Sequence, residues 1–517
     1  MIALQPLDYL AVALYLLIVI VVCVRVTKRS PDVDELFLAG RSLGAGVLGL
    51  SLFASNISST TLIGLPGAAW QSGISVANYE WMAALVLVFA AFAVVPAFVG
   101  NRIVTVPEIL ERRFDARIRR YLSATSLVLS VFLDTAGSLY AGALVLMMFV
   151  PGLDLAMTCA VLAVFVGVYT AAGGLRAVVY TDVLQALVLL AGSALLFGIV
   201  FAEFDFSWAR VVTSLPAEKL SLLRPIDDPV LPWLGTLIGL PILGFYYWTM
   251  NQYIVQRLLG ARNVEAAARG ALIAAALKLL PLFLMVLPGA MAAVLLPDLE
   301  RADTVFPALV LEYAPAGVAG LLLSGLMAAI MSSVDSALNS ASTLVIKDFV
   351  EPHRPGLDSR DLARLGRYTT LGMMIVAAIW APAIDRFPGL FAYLQQAFAY
   401  VAPPLVAVFA IGMTSRRIGA GVVLKALLTG HAISAAWFLA TQLGWLELHF
   451  TIVAGVLFAA TILAAHAWQS MMGAEDAPRP GQLAAMRRTG KPLPSAATRR
   501  AALLLTLLTI GLVTAFR

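Results

Sequence analysis

Charge is scarce in this chain: Asp, Glu, Lys and Arg make up 13% of its 517 residues, while 61% are hydrophobic and the mean hydropathy is +0.90. A soluble domain carries about 25% charged residues. Half of that cannot coat a soluble surface of this size, so much of the chain must face lipid. Cysteine is nearly missing. Cys23 and Cys159 both lie inside apolar runs, which excludes a disulfide framework and a thiolate metal site. The four histidines, His353, His431, His449 and His466, have no ligand spacing, so neither a transition metal nor a cofactor is expected. Long polar stretches are also missing. The largest, 201–229 and 469–499, are too short for a catalytic domain, and no nucleophile–base pair stands out, which argues against an enzyme. The net charge of +5 does not indicate a nucleic-acid partner, because the basic residues fall in short loops between apolar runs.

What the chain does have is a series of about fourteen apolar segments: 7–27, 43–66, 77–101, 121–150, 153–171, 177–201, 230–258, 270–296, 305–347, 366–386, 390–414, 421–441, 447–468 and 500–516. A bilayer crossing takes about 20 apolar residues, so an all-α polytopic membrane protein is expected, with 305–347 long enough for two elements. The first run has no basic stretch before it and no small-residue cleavage site, and Arg25, Lys28 and Arg29 follow it. It reads as a retained helix and not a removed signal peptide. Lysine and arginine crowd alternate loops, as in Arg102, Arg112, Arg113, Arg117, Arg119 and Arg120, then Arg257, Arg262 and Arg269, then Arg487, Arg488 and Lys491. The opposite loops and tail hold only Arg210, Lys219, Arg224, Arg301, Arg386 and Arg517. The basic side is cytoplasmic, which puts both termini outside the cell membrane.

In hydrocarbon an ionisable side chain or an unpaired amide is costly, so both mark buried sites. The stretch 51–67 combines hydroxyl residues with Gly64, Pro66 and Gly67 in mid-span. Pro66 cannot donate a helix hydrogen bond and the glycines weaken the turn. An unwound helix with free carbonyls is expected there, with close packing through small residues as the alternative. The stretch 237–253 is interrupted in the same way by Gly239, Pro241 and Gly244. These two stretches open the second and seventh segments. Interrupted spans in matching positions of two halves point to a transporter site. The odd number of spans between them turns the second copy over, giving a five-plus-five inverted repeat with broken helices. The expected divisions are 1–42, an extra helix and inner loop; 43–201, the first repeat; 202–229, an outer loop; 230–414, the second repeat; and 415–517, extra helices with a basic inner loop.

A third stretch, 328–343, crowds Ser332, Ser333, Asp335, Ser336, Asn339 and Ser340 into just over two helical turns. Ser332, Asp335 and Ser336 share one face. Hydroxyl and carboxylate oxygens suit a hard cation such as sodium; serines bonding back to their own helix carbonyls are the alternative. Glu80, Asp134, Asp182 and Lys278 are further ionisable residues within spans. Lys278 needs a counter-ion, for which Glu80 or a ligand is available, and a purely structural ion pair is the competing reading.

These residues resemble the sodium/solute symporter family that includes the sodium/glucose cotransporters. The resemblance covers about residues 30 to 420. It rests on Phe37-Leu-Ala-Gly-Arg-Ser42, Ala54-Ser-Asn-Ile57, Gly173-Gly-Leu-Arg-Ala-Val-Val-Tyr-Thr-Asp-Val-Leu-Gln185, Tyr246-Tyr-Trp248 with Asn251-Gln252 and Gln256-Arg257, and Ser332-Ser333 with Leu338-Asn-Ser-Ala341, all in order. It implies the LeuT-like inverted-repeat fold with extra helices at both ends. It implies sodium ligands from the carbonyls of Ala54, Ile57 and Ala329 and the hydroxyls of Ser332 and Ser333. Some members hold a second sodium near positions matching Asp182 and Ser336, beside which Asp335 stands here. The sugar-carrying branch uses residues matching Glu80, Lys278 and Gln395, with a tyrosine matching Tyr247 beneath the sugar as inner gate. Two positions depart from that branch: Thr61 replaces a glutamine or histidine, and Gly244 replaces an asparagine. Thr61 also matches a threonine of the sialic-acid branch, whose arginine is not evident. The resemblance implies sodium-coupled symport of a small sugar-like solute or polyol across a lipid bilayer by alternating access. The alternatives are a small carboxylate or amino acid paired to Lys278, or a sensor or channel.

Overall fold

The computed structural model describes residues 5–26, 33–150, 152–387, 390–472, 478, 482, 486 and 494–516. Lys28, Arg29, Arg517 and most of the basic loop 469–499 lie outside the described residues. Among those described, every named element is helical. That follows from the composition, since in lipid each backbone N–H and C=O must be satisfied within its own segment.

The principal helices are α1 (Pro6–Val26), α2 (Ala45–Asn56), α3 (Ser59–Ser72), α4 (Ile74–Gly100), α5 (Ala116–Phe149), α6 (Leu155–Ala202), α7 (Trp233–Phe245), α8 (Gln252–Leu259), α9 (Val264–Leu295), α10 (Val318–His353), α11 (Ser359–Arg386), α12 (Leu390–Thr414), α13 (Ala420–Gln442), α14 (Phe450–Met472) and α15 (Ala496–Ala515). Eleven helices are long and apolar enough to cross a membrane, or up to 12 when the bent pair α2–α3 counts as one span. The other two expected crossings coincide with shorter pieces. Segment 153–171 matches the apolar start of α6, Leu155–Gly167. Segment 230–258 is divided into α7, a π-helical turn Tyr246–Met250 and α8. The long segment 305–347 is two elements, a short helix Val305–Tyr313 and α10.

The centre of the molecule is α10. It packs along α6, with α1, α5 and α11 around it, while α2 lies on α9, and α14 bridges α7, α12 and α13. The outward flanks stay apolar: α1 exposes Leu7, Leu10, Leu14 and Leu17, and α15 exposes Leu503, Leu504, Leu507 and Leu508. Such exposed stripes suit lipid and not water.

The breaks fall elsewhere than the glycines and prolines suggest. α2 ends at Asn56, Ile57 takes a non-helical ψ of 74°, and Ser58 caps α3 by accepting from the Thr61 N–H at 3.2 Å. The two halves bend by 58°. Pro66 sits inside α3, and Pro241 inside α7. The break is set by the hydroxyl cap, not by Gly64, Pro66 and Gly67. The glycines serve contact instead: a Cβ on Gly67 would lie 2.3 Å from the Ala302 carbonyl oxygen, and one on Gly289 would lie 2.3 Å from that of Pro66. In the second stretch the departure from α-helix begins at Tyr246 and ends at Asn251, whose ψ is 117°.

Both ends of the described chain meet one face. Near the start of α1, Asp8 accepts from the N–H groups of Gly317 and Gly320 at 2.8 and 2.7 Å. Just beyond α15, the carbonyl of Phe516 accepts from the Leu222 N–H at 2.8 Å. Tyr313, close before Gly317, neighbours Glu203, so both ends share the side that carries the segment between α6 and α7.

Candidate functional site

The α2–α3 break, the π-helical turns of α5 and α7–α8, and the inner faces of α4, α9 and α12 enclose a cavity of about 130 Å³. Thr61, Glu80, Tyr247, Lys278 and Gln395 all line it, and so do Asp134 and Ser333. Residues spread over 334 positions of sequence thus converge on one space.

Lys278 is fully buried, and its ammonium donates to both Glu80 Oε2 and Asn56 Oδ1. The same ammonium lies 5.7 Å from the centre of the Trp248 ring, within reach of a cation–π attraction. Glu80 is therefore the counter-ion. Asn56 is a partner that the sequence reading left unassigned, although it is the last residue of α2 and its side chain has no helix to continue along. The Thr61 hydroxyl donates to the Asn56 carbonyl at 3.0 Å. The Tyr247 hydroxyl is hydrogen-bonded to that of Tyr253, their rings crossing at 88°. At Gly244 a Cβ would approach Val86 Cγ2 to 3.3 Å, so α4 occupies some of the room that an asparagine would need.

Four of the five expected ion ligands, Ala54, Ala329, Ser332 and Ser333, meet beside this cavity. The Ser332 hydroxyl reaches the Ala54 carbonyl at 3.3 Å, across from α10 to α2, and the Ala329 carbonyl at 3.2 Å. The Ser333 hydroxyl bonds the Ala329 carbonyl at 2.9 Å. Both the cross-helix contact and the back-bonding reading of the serines are present. Ile57 is buried at the break, where its non-helical ψ turns its carbonyl away from the helix axis.

The other polar group lies deeper between α2, α6, α8 and α10. Asp182 Oδ2 accepts from Ser51 at 2.6 Å, Ser55 at 3.2 Å and Arg257 Nη2 at 2.9 Å. Ser336 donates to Asp335 Oδ1 at 3.0 Å and receives from Arg257. Arg257, read from the sequence as an inner-loop cation, is fully buried in α8. The correction follows from Asp182: a buried carboxylate needs a partner, and hydropathy alone does not reveal a tertiary pair. Asp182 Oδ1 and Asp335 Oδ2 are buried without a hydrogen-bond partner, as are the Tyr15 hydroxyl and the Gln185 amide. Among the described residues, no group of three or more His, Cys, Asp and Glu side chains is placed to hold a metal ion.

A wider cleft of about 560 Å³ lies on the side of the 203–232 segment. Tyr79 lines both it and the solute cavity. At its rim, burial pulls the His449 imidazole down to about 4. Burial alone would raise the Asp228 carboxyl, but the N–H groups of Leu231 and Val230, each at 2.9 Å, and the Arg224 guanidinium hold it below its ordinary value.

The family model described as "Sodium:solute symporter family" matches residues 36–430. The sodium/myo-inositol cotransporter 2 of Oryctolagus cuniculus is 35% identical over 453 residues, covering 80% of this chain and 67% of the relative. The sodium/glucose cotransporter 1 of the same species is 34% identical over 455 residues, covering 80% and 68%. Among solved structures, a Na⁺-coupled sialic acid symporter in a substrate-bound outward-open state aligns with a TM-score of 0.81 at 22% identity, over 92% of this chain and 99% of the other. That likeness establishes the LeuT-like transporter fold. With the family model spanning most of the sequence and the curated relatives matching at this identity, the chain belongs to the sodium:solute symporter family.

Proposed function

We propose that this protein is a secondary active transporter that uses a sodium gradient to carry a sugar or polyol across the cell membrane by alternating access. One observation carries the reading: Ser333 belongs both to the α10 serine pair that meets α2 and to the lining of the solute cavity. An ion held by Ala54, Ile57, Ala329, Ser332 and Ser333 would share a wall with the solute, so each would stabilise the same arrangement of the broken helix. Glu80, Lys278 and Gln395 offer charged and amide groups to ring hydroxyls, and Tyr247 offers an aromatic face. The curated relatives carry sodium with inositol or glucose in their names, which favours sugars and polyols over amino acids. The engagement of Lys278 by Glu80 argues the same way, since a solute carboxylate would have to displace Glu80.

The repeats span 43–201 and 230–414, flanked by the extra helices, and Asp182, Asp335 and Ser336 form the second cation group. The clustering of lysine and arginine on alternate loops supports an outside location for the face where α1 begins and α15 ends. The driving force suffices. Each sodium charge gains about 2.3 kcal/mol per 100 mV, and about 1.4 kcal/mol for each tenfold gradient. Uptake of radiolabelled glucose and myo-inositol into proteoliposomes, with and without an inward sodium gradient, tests the proposal. Uptake that ignores sodium would reject it.

A further inference from the structure

The solute cavity carries one carboxylate more than its cations balance. Among its described lining residues, Lys278 is the one cation, and Glu80 and Asp134 are the carboxylates. Lys278 is committed to Glu80 and Asn56. The buried cation nearest along the chain to the cavity floor, Arg257, is bound to Asp182, Ser51, Ser336 and the Tyr253 carbonyl. Asp134 stands apart from both pairs, and its Oδ2 is buried with no hydrogen-bond partner.

The backbone gives Asp134 an unusual setting. It lies in a π-helical turn, Ser130–Thr135, within α5, and such single π turns recur at functional sites. The second π-helical turn, which carries Tyr247, lines the same cavity. The Asn251 amide, which ends that second turn, lies within hydrogen-bonding reach of Asp134, and an amide brings the carboxyl a neutral partner but no cation. Thr60 and Ser138 add hydroxyls to the lining on the α3 and α5 sides. A dry carboxylate that lacks a cation is costly, and a ligand that supplies the cation gains what the protein withholds.

We propose that Asp134 is the specificity-determining residue of the cavity, and that the preferred solute is a polyhydroxylated ring bearing a protonated amine, of the aminosugar or aminocyclitol class. The inference rests on the solute-transport reading and narrows it. Glu80, Lys278 and Gln395 take the ring hydroxyls, and the ammonium donates to Asp134 Oδ2. A neutral sugar would offer Asp134 a hydrogen bond but no cation. A sugar acid would meet Asp134 as a like charge and find Lys278 already paired.

The test uses the full chain in proteoliposomes under an inward sodium gradient, at a pH that keeps the amine protonated. D-glucosamine, D-glucose, N-acetyl-D-glucosamine and D-glucuronate are compared by uptake and by calorimetric binding to the purified protein. The expected half-saturating concentration for glucosamine is about tenfold below that for glucose, the size of one good charge-assisted contact. N-acetylation removes the advantage, and glucuronate is the poorest ligand. In Asp134→Asn, which preserves shape, the glucosamine-to-glucose affinity ratio falls toward one. Equal affinities of the native protein for glucosamine and glucose overturn the proposal, with no variant needed. A variant whose glucosamine-to-glucose ratio is native but whose sodium requirement rises also overturns it, by making Asp134 part of the ion path. Glucosamine binding that depends on Asp134, without sodium-driven uptake of any of these solutes, rejects the symport reading and leaves the assignment of Asp134 standing.

Discussion

The Glu80–Lys278 pair offers the sharpest separation of structure from transport. Lys278 has no exposed surface and Glu80 has 7%, and the ammonium is shared between Glu80 Oε2 and Asn56 Oδ1. Removing one partner of a buried pair strands the other charge and costs about 3–5 kcal/mol, whereas replacing both with neutral groups of similar volume is often close to neutral. The cavity is polar enough to admit water, so the low end, about 3 kcal/mol, is expected for Glu80→Gln and for Lys278→Met alone. The double variant should lose about 1 kcal/mol or less, giving a coupling energy of about 2–3 kcal/mol, a size seen for residues in one network. Equilibrium denaturation of the micelle-solubilised protein, followed by tryptophan fluorescence, measures this cycle. Solute binding should behave oppositely. A hydrogen bond to a charged group contributes about 1.5–3 kcal/mol, so losing both charges weakens binding roughly 10- to 100-fold or more, even where stability has returned. Single variants as stable as the double one would refute the buried pair. A double variant that keeps native solute affinity would refute its part in binding.

Three further outcomes follow. Ser333→Ala should raise the half-saturating sodium concentration about tenfold, the equivalent of one hydrogen-bond-sized loss, while Gln395→Ala should weaken solute affinity with sodium dependence intact; uptake titrations of each ligand at saturating levels of the other distinguish the two. Gly289→Ala should destabilise the fold by about 1–3 kcal/mol, the usual size of an overpacking penalty, because its Cβ would lie 2.3 Å from the Pro66 carbonyl oxygen; native stability in denaturation would show that α3 yields freely. The folded His449 binds its proton only near pH 4, against about 6.5 when unfolded, so the unfolded state holds more protons in that window and stability falls as pH drops through it; denaturation midpoints that are flat from pH 7 to 4 in the native protein, or that fall equally in His449→Asn, would contradict this.

The fold class was legible because its cause is compositional. Chains this poor in charge and this rich in apolar runs must put helices in lipid, although the runs 153–171 and 230–258 do not correspond to separate spanning helices. The break in the second segment was legible as a region but not as a position. Gly64, Pro66 and Gly67 drew attention to close approach against α9 and the 302 region, while the chain parted earlier, where Ser58 could cap α3. Local sequence marks small residues without saying whether they bend a helix or admit a neighbour. The solute cavity was legible through ionisable residues that have no reason to lie in a membrane, namely Glu80, Lys278 and Asp134. Asn56 and Tyr253 escaped assignment because neutral polar residues are common near helix ends, and only tertiary contact distinguishes a lysine's acceptor from a cap. Arg257 escaped for a related reason. At the end of an apolar run it looks like a loop cation, and nothing nearby in the chain announces Asp182, the partner that holds it inside.

Under the proposed ion site, the break would let one ion govern the shape of a cavity it does not fill. α2 ends at Asn56, so its last carbonyls, including that of Ala54, carry the negative end of the helix dipole without helical partners further on. A cation at that end is favoured on electrostatic grounds alone. The serines of α10 that meet it bond their own carbonyl at Ala329 as well as Ala54, so they can turn toward an ion without a change in the helix. The Ser332 hydroxyl meets the end of α2 at 3.3 Å, a contact that a cation held between them would reinforce. Asn56 makes two contacts at this end. Its carbonyl accepts from Thr61 across the break, and its side chain accepts from Lys278 in the cavity. Any movement of the end of α2 would therefore pull on the Glu80–Lys278 pair. Coupling would then need no long pathway, because Asn56, which ends the helix beside the proposed ion site, also holds the lysine of the proposed solute site.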